Sequence, residues 1–175
     1  MKKKIAILGS TGSIGQSLLE IVNQNRNIFE ISLLTAHKDY KTLLNQAKKF
    51  SVKNLIITDI ESFKKIKKKN QNNKIKIFNN FESLSKIFKN KVDYTMSSIV
   101  GIYGLEPTLK IIKFTKLIAI ANKESIICGW GLILKALKNS NTKFIPVDSE
   151  HFSLWYGLKN IDINKIEEIY LTASG

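Results

Sequence analysis

"KIAILGSTGSIG", Lys4–Gly15, is the stretch on which the fold turns. Lys4–Gly9 has the uninterrupted apolar character of a strand buried on both faces, and Ile14, Leu18, Ile21 and Val22 then recur on one helical face. Between them lies "GSTGSIG", Gly9–Gly15, the position and context of a dinucleotide-binding turn. Gly9 permits the tight turn, Gly12 allows close approach of a pyrophosphate, and Gly15 lets helix pack on strand. Thr11 and Ser13 add hydroxyl donors to the free N–H groups of the helix start. The glycines fall at every third position, a variant of the usual spacing.

Outward from this unit, strand-like and helical runs alternate. "FEISLLTA" (Phe29–Ala36), "NLIITD" (Asn54–Asp59), "KIKIF" (Lys74–Phe78), "VDYTMSS" (Val92–Ser98), "KLIAIA" (Lys116–Ala121) and "KFIPVD" (Lys143–Asp148) continue the strand series. Helical patterns separate them, the later ones near Pro107–Lys113 and Glu124–Leu137. Such alternation predicts an α/β, Rossmann-like, doubly wound and mostly parallel sheet covered on both faces. Ligands of open α/β sheets collect just beyond the carboxyl ends of the strands. The chemically distinctive residues there are Gly9–Gly15, His37–Asp39, Ser97–Gly101, Asn122–Ser125 and Asp148–His151.

The second strand ends in "TAHKD", Thr35–Asp39, where an NAD site usually places a carboxylate for the ribose 2′-hydroxyl. Here the acid comes only after His37 and Lys38, which would attract a 2′-phosphate, so NADP is expected over NAD; Asp39 opposes that preference. In "ANKES", Ala121–Ser125, Asn122 and Glu124 fit either an ordinary helix cap with a first-turn acid or contacts to a nicotinamide ribose. In "PVDSEH", Pro146–His151, Asp148 and Glu150 would project to one side of an extended chain and bracket a hard cation. An N-cap followed by a first-turn acid is the equal alternative. Cys128 in "SIICGWG" reads as a small apolar residue buried in a helix, and no role is expected for His151.

The chain has 175 residues, 43% of them apolar, enough for one ordinary core and the opening of a second domain. A single cysteine suits a reducing compartment, and no apolar run is long enough to span a bilayer or form a signal peptide. A soluble cytoplasmic protein with no membrane partner is expected. The formal charge of +14 raises nucleic acid as a ligand, but Arg26 is the only arginine, and base readout favours arginine. The densest basic run, Phe63–Phe78, reads as a lysine-coated helix end followed by a lysine-guarded edge strand, so no nucleic-acid partner is expected.

"GSTGSIG", "SSIVGIYGLEPTL" (Ser97–Leu109), "ANKES" and "PVDSEH", in this order, closely resemble the 1-deoxy-D-xylulose 5-phosphate reductoisomerase family across Lys4–Gly175. The resemblance implies a bacterial-type, NADPH-dependent enzyme requiring Mg²⁺ or Mn²⁺ (or Co²⁺). It would convert a small phosphorylated sugar, 1-deoxy-D-xylulose 5-phosphate, to 2-C-methyl-D-erythritol 4-phosphate in isoprenoid biosynthesis. It further implies Thr11, Gly12, Ser13 and Ile14 at the pyrophosphate, with His37, Lys38 and Asp39 at the 2′-phosphate end. Asn122, Lys123 and Glu124 would lie on the nicotinamide side, Asp148 and Glu150 at the metal, and Lys123, Ser149, Glu150 and Ser174 at the substrate. Glu150 and Lys123 are the implied catalytic groups. His37, Asp39 and the "HFSLW" run, His151–Trp155, depart from the family pattern.

The implied organisation is an NADPH-binding domain over 1–147 and, from 148 to 175, the beginning of an α+β catalytic and metal-binding domain. The family continues beyond "LTASG" with a third carboxylate ligand, a lid and a helical domain, and forms homodimers at full length. The 175 residues alone are therefore expected to turn over substrate poorly or not at all; the alternative is an NADP-binding module without catalysis. A short-chain reductase would need Tyr-x-x-x-Lys, and none of the five tyrosines has a lysine four residues on.

Overall fold

In the computed structural model, which describes residues 1–70 and 74–170, the apolar runs become β1 (Lys3–Leu8), β2 (Phe29–Ala36), β3 (Asn54–Ile57), β4 (Lys76–Phe78), β5 (Val92–Ser97), β6 (Thr115–Ile120) and β7 (Lys143–Pro146). Between and after them lie α1 (Ser13–Gln24), α2 (Tyr40–Lys49), α3 (Ile60–Lys69), α4 (Leu84–Ile87), α5 (Leu105–Ile112), α6 (Lys123–Ser140) and α7 (Ser149–Leu158). All strand pairings are parallel, in the order β4-β3-β2-β1-β5-β6-β7. The sheet is the doubly wound one expected from the sequence.

Alternation along β1 divides the core. Ile5 and Ile7 point to the layer holding Leu19 and Val22 of α1, Leu43 and Ala47 of α2, and Ile66 of α3. Ala6 and Leu8 point to the opposite layer, with Leu84 of α4, Ile111 and Ile112 of α5, and Ile133 and Leu137 of α6. Both faces are thus covered, which is why the inner strands read as continuous apolar runs. Each such buried Leu or Ile contributes roughly 1.5–3 kcal/mol. β4 is an edge strand with Lys76 exposed, as a guarded edge requires, although it begins at Lys76 and not Lys74. Among the described residues no helix is long and apolar enough to cross a membrane.

One sequence expectation is corrected, and one alternative left open is decided. Cys128 is exposed, because α6 buries Ser125, Ile126, Gly129 and Ile133 and turns residue 128 outward. The chain does not stay extended after Val147: Asp148 caps α7 through His151 N–H (3.1 Å), and Glu150 lies in that helix's first turn. The helical turn places the two carboxylates by helix geometry, not by strand alternation.

Candidate functional site

Winding reverses between β1 and β5, and the crevice at that switch point opens beside the Gly9–Gly15 loop. Gly9 has φ +83°, and a Cβ there would come 2.9 Å from the Ser98 carbonyl oxygen; at Gly15 it would come 2.4 Å from the Gly9 carbonyl oxygen. Glycine is required at both. The loop is also held from beneath. Gly9 N–H donates to Thr35 Oγ1 (3.0 Å), Ser10 Oγ to Gln46 Oε1 (2.8 Å), and Gln46 Nε2 back to the Ser10 carbonyl (2.9 Å). Ser98 Oγ donates to the Leu8 carbonyl (2.8 Å), tying the β5 end to the β1 end.

The α1 N-terminus fits a phosphate. Its N-cap, Gly12, makes no side-chain cap and its first turn holds no acid, whereas α2, α3, α6 and α7 are capped by Asp39, Asp59, Asn122 and Asp148; the shorter α4 and α5 also lack a side-chain cap, but each follows a 3₁₀ turn and not a strand-end glycine loop. Unpaired N–H groups and the helix dipole both favour an anion there. Thr11, Gly12 and His37 join Thr58, Phe81, Ile99, Val100, Tyr103 and Pro107 around one cleft of about 750 Å³. Its largely apolar walls and polar loop suit a nucleoside joined to phosphates. Ser13 and Ile14 open α1 beside it.

His37 and Lys38 follow β2, both exposed. Asp39 does not confront them. Its carboxylate accepts from Thr42 N–H (3.0 Å), and this bond, with the Thr42 hydroxyl, holds its pKa below the ordinary aspartate value. The acid that weakened the NADP expectation is engaged as the α2 cap.

Asn122 is buried, and its side chain works inside the protein. Oδ1 accepts from Ser125 N–H (2.8 Å), capping α6, while Nδ2 donates to the carbonyls of Ile99 and Gly101. It therefore fixes the cleft wall to the α6 start. Lys123 and Glu124 sit exposed in the first turn of α6.

At the end of β7, one oxygen of Asp148 meets His151 through both its backbone N–H and Nδ1. The other, Oδ2, is buried without a hydrogen-bond partner. An orphaned carboxylate oxygen fits a cation, since burial without a partner is unfavourable. Glu150 is held below the usual glutamate pKa by its own backbone N–H, the Ser149 hydroxyl (2.9 Å) and the Lys123 charge, with Asp148 opposing. The charge of Lys123, at the β6 end, is felt at Glu150 after β7. Among the described residues no group of three or more His, Cys, Asp or Glu could hold a metal. Ser174 lies outside the described residues.

The structure brings the phosphate loop and His37 to one cleft and Lys123 close to Glu150. Thr58 and Phe81, at the same cleft, were missed by sequence reading, although both follow strand ends. Applying the strand-end rule to β3 and β4 as well would have found them.

A family model for 1-deoxy-D-xylulose 5-phosphate reductoisomerase matches residues 5–130. The chain is 61% identical over 175 residues to the reductoisomerase of Pelagibacter ubique (strain HTCC1062), covering 99% of this chain and 45% of that protein. It therefore spans less than half the length of that relative. Among solved structures, the Zymomonas mobilis reductoisomerase in complex with NADPH superposes with a TM-score of 0.78 at 33% identity, over 86% of this chain and 40% of that one. A reductoisomerase in complex with NADPH, fosmidomycin and magnesium gives 0.77 at 33% identity, over 85% of this chain and 37% of that one. The chain belongs to the 1-deoxy-D-xylulose 5-phosphate reductoisomerase family.

Proposed function

We propose that this chain supplies the NADPH-binding domain, residues 1–147, and the first catalytic and metal-binding residues, from 148 onward, of a 1-deoxy-D-xylulose 5-phosphate reductoisomerase. The observation that carries this is the uncapped α1 N-terminus behind two obligatory glycines at the switch point, in a chain of this family. Thr11, Gly12, Ser13 and Ile14 bind the pyrophosphate, His37 and Lys38 the 2′-phosphate end beside the Asp39 cap, and Asn122, Lys123 and Glu124 frame the nicotinamide side.

Asp148, whose Oδ2 is buried without a partner, and Glu150 would hold Mg²⁺ or Mn²⁺. A bound divalent cation supplies Lewis acidity to the substrate ketone as the carbon skeleton rearranges. Ser149, Glu150 and Ser174 contact the phosphorylated sugar, and Lys123, whose charge Glu150 feels, presents its side chain to substrate. The working enzyme is a cytoplasmic homodimer with no nucleic-acid or membrane partner, producing 2-C-methyl-D-erythritol 4-phosphate for isoprenoid synthesis.

Titrating the chain with NADPH and NADH, read by nicotinamide fluorescence, tests the cofactor assignment. NADPH is expected to bind more tightly, and NADH binding at least as tightly overturns it. The second reading, a binding module without catalysis, follows from the two-carboxylate pair. Substrate-dependent NADPH oxidation with and without Mg²⁺ separates the two: no turnover in either condition favours the module.

A further inference from the structure

The ends of β2 and β3 run side by side beyond the sheet: Thr58 N–H donates to the Ala36 carbonyl (3.2 Å) and Asp59 N–H to the His37 carbonyl (3.1 Å). This places the side chains of His37 and Thr58 together, with His37 Nδ1 2.9 Å from Thr58 Oγ1. Both residues line the cleft beside Thr11 and Gly12. His37 is exposed and could otherwise rotate freely, so a partner on one ring nitrogen decides where the other one points.

We infer that Thr58 is a positioning residue that orients the His37 ring, and that the pair sets how strongly this chain prefers a dinucleotide carrying a 2′-phosphate. A threonine hydroxyl can donate to a bare Nδ1, and that bond leaves the ring proton on Nε2. Nε2–H is then a directed donor for a phosphate oxygen, a group NADPH has and NADH lacks. Asp59 lies close enough for its charge to be felt by both Lys38 and His37. The Asp59 carboxylate is turned to Ser62 N–H (2.9 Å) as the α3 cap, holding its pKa below the ordinary value. The Asp39 carboxylate is likewise turned to the α2 cap. Neither acid hydrogen-bonds the histidine ring, so Nε2 is left free to meet an anion in the cleft.

This inference rests on the NADPH reading of the cleft, and the experiment keeps the two apart. Dissociation constants for NADPH and NADH are measured on the wild-type chain and on Thr58→Val, Thr58→Ser and His37→Gln. Thr58→Val keeps the shape and removes the hydroxyl; it is expected to weaken NADPH roughly fivefold to tenfold, the size of one ordinary net hydrogen bond, and to leave NADH within about twofold. Thr58→Ser is expected to restore NADPH affinity, and adding Thr58→Val to His37→Gln is expected to lose nothing more. In the free protein, the ¹⁵N shifts of the His37 ring are expected to report one dominant tautomer in wild type and a mixture in Thr58→Val. NADPH affinity unchanged in Thr58→Val, or equal losses for both dinucleotides, overturns the inference while leaving the cofactor reading intact. A wild-type chain that shows no preference for NADPH overturns both.

Discussion

The loops after β1 and after β7 both face the ligand edge, yet they are built differently. Behind the first, Ser10, Thr35, Gln46 and Ser98 make a buried or nearly buried hydrogen-bond network, and two glycines allow contacts no side chain permits. Behind the second is α7, which buries none of its residues and gathers Phe152, Trp155 and Tyr156 among themselves. The first loop is held by these contacts without any ligand. The second is ordered locally, by the Asp148 cap and its histidine, so its geometry depends on a few polar contacts.

The sharpest way to break the comparison is Gly15→Ala. The new Cβ would meet backbone atoms at 2.4 Å and 2.6 Å, neither of which can swing aside. A stability loss of about 1–3 kcal/mol by urea denaturation and a drop of more than about tenfold in NADPH affinity are expected. Next in size is a matched pair. Leu19→Ala in α1, at a side chain 5% exposed, should cost about 2–4 kcal/mol, whereas Trp155→Ala in α7 should cost under about 1 kcal/mol. Equal costs would show that α7 is anchored as firmly as α1.

Asp148→Asn keeps an acceptor for the α7 cap and removes the charge. Its thermal midpoint should stay within about 2 °C of wild type while Mn²⁺ binding, followed by water-proton relaxation, is lost. The smallest effect concerns acid. Asp39 has its pKa lowered in the folded state, so its contribution is complete above the unfolded value near ~4 and vanishes as pH falls through the folded one. Asp39→Asn, which still caps but does not titrate, should flatten the stability profile below that pH, and an unchanged profile would assign the acid response elsewhere.

Much of this was legible in the sequence because it rests on period and on glycine. The strands of the sheet follow from apolar runs, and Gly9 and Gly15 from the turn between the first strand and helix. The ambiguity at Asp148 was not resolvable there: residues two apart share a side only if the chain stays extended, and "DSEH" encodes a helix cap equally well. Cys128 was misplaced because α6 is apolar around much of its circumference, exposing Ile127 and Trp130, so composition alone does not say which face is inward. The His37–Thr58 contact joins residues 21 positions apart on neighbouring strands, a distance no local pattern reports.

The position of β1 in the sheet has a consequence for the order in which the protein can be made. β1 pairs with β2 early in the chain, but its other partner is β5, with Ile5 opposite Tyr94. A chain emerging from the ribosome can therefore assemble β1 to β4 while the far edge of β1 stands open, apolar and unpaired, until the fifth strand appears. Until then that edge, like any unpaired strand edge, is open to pairing with another chain.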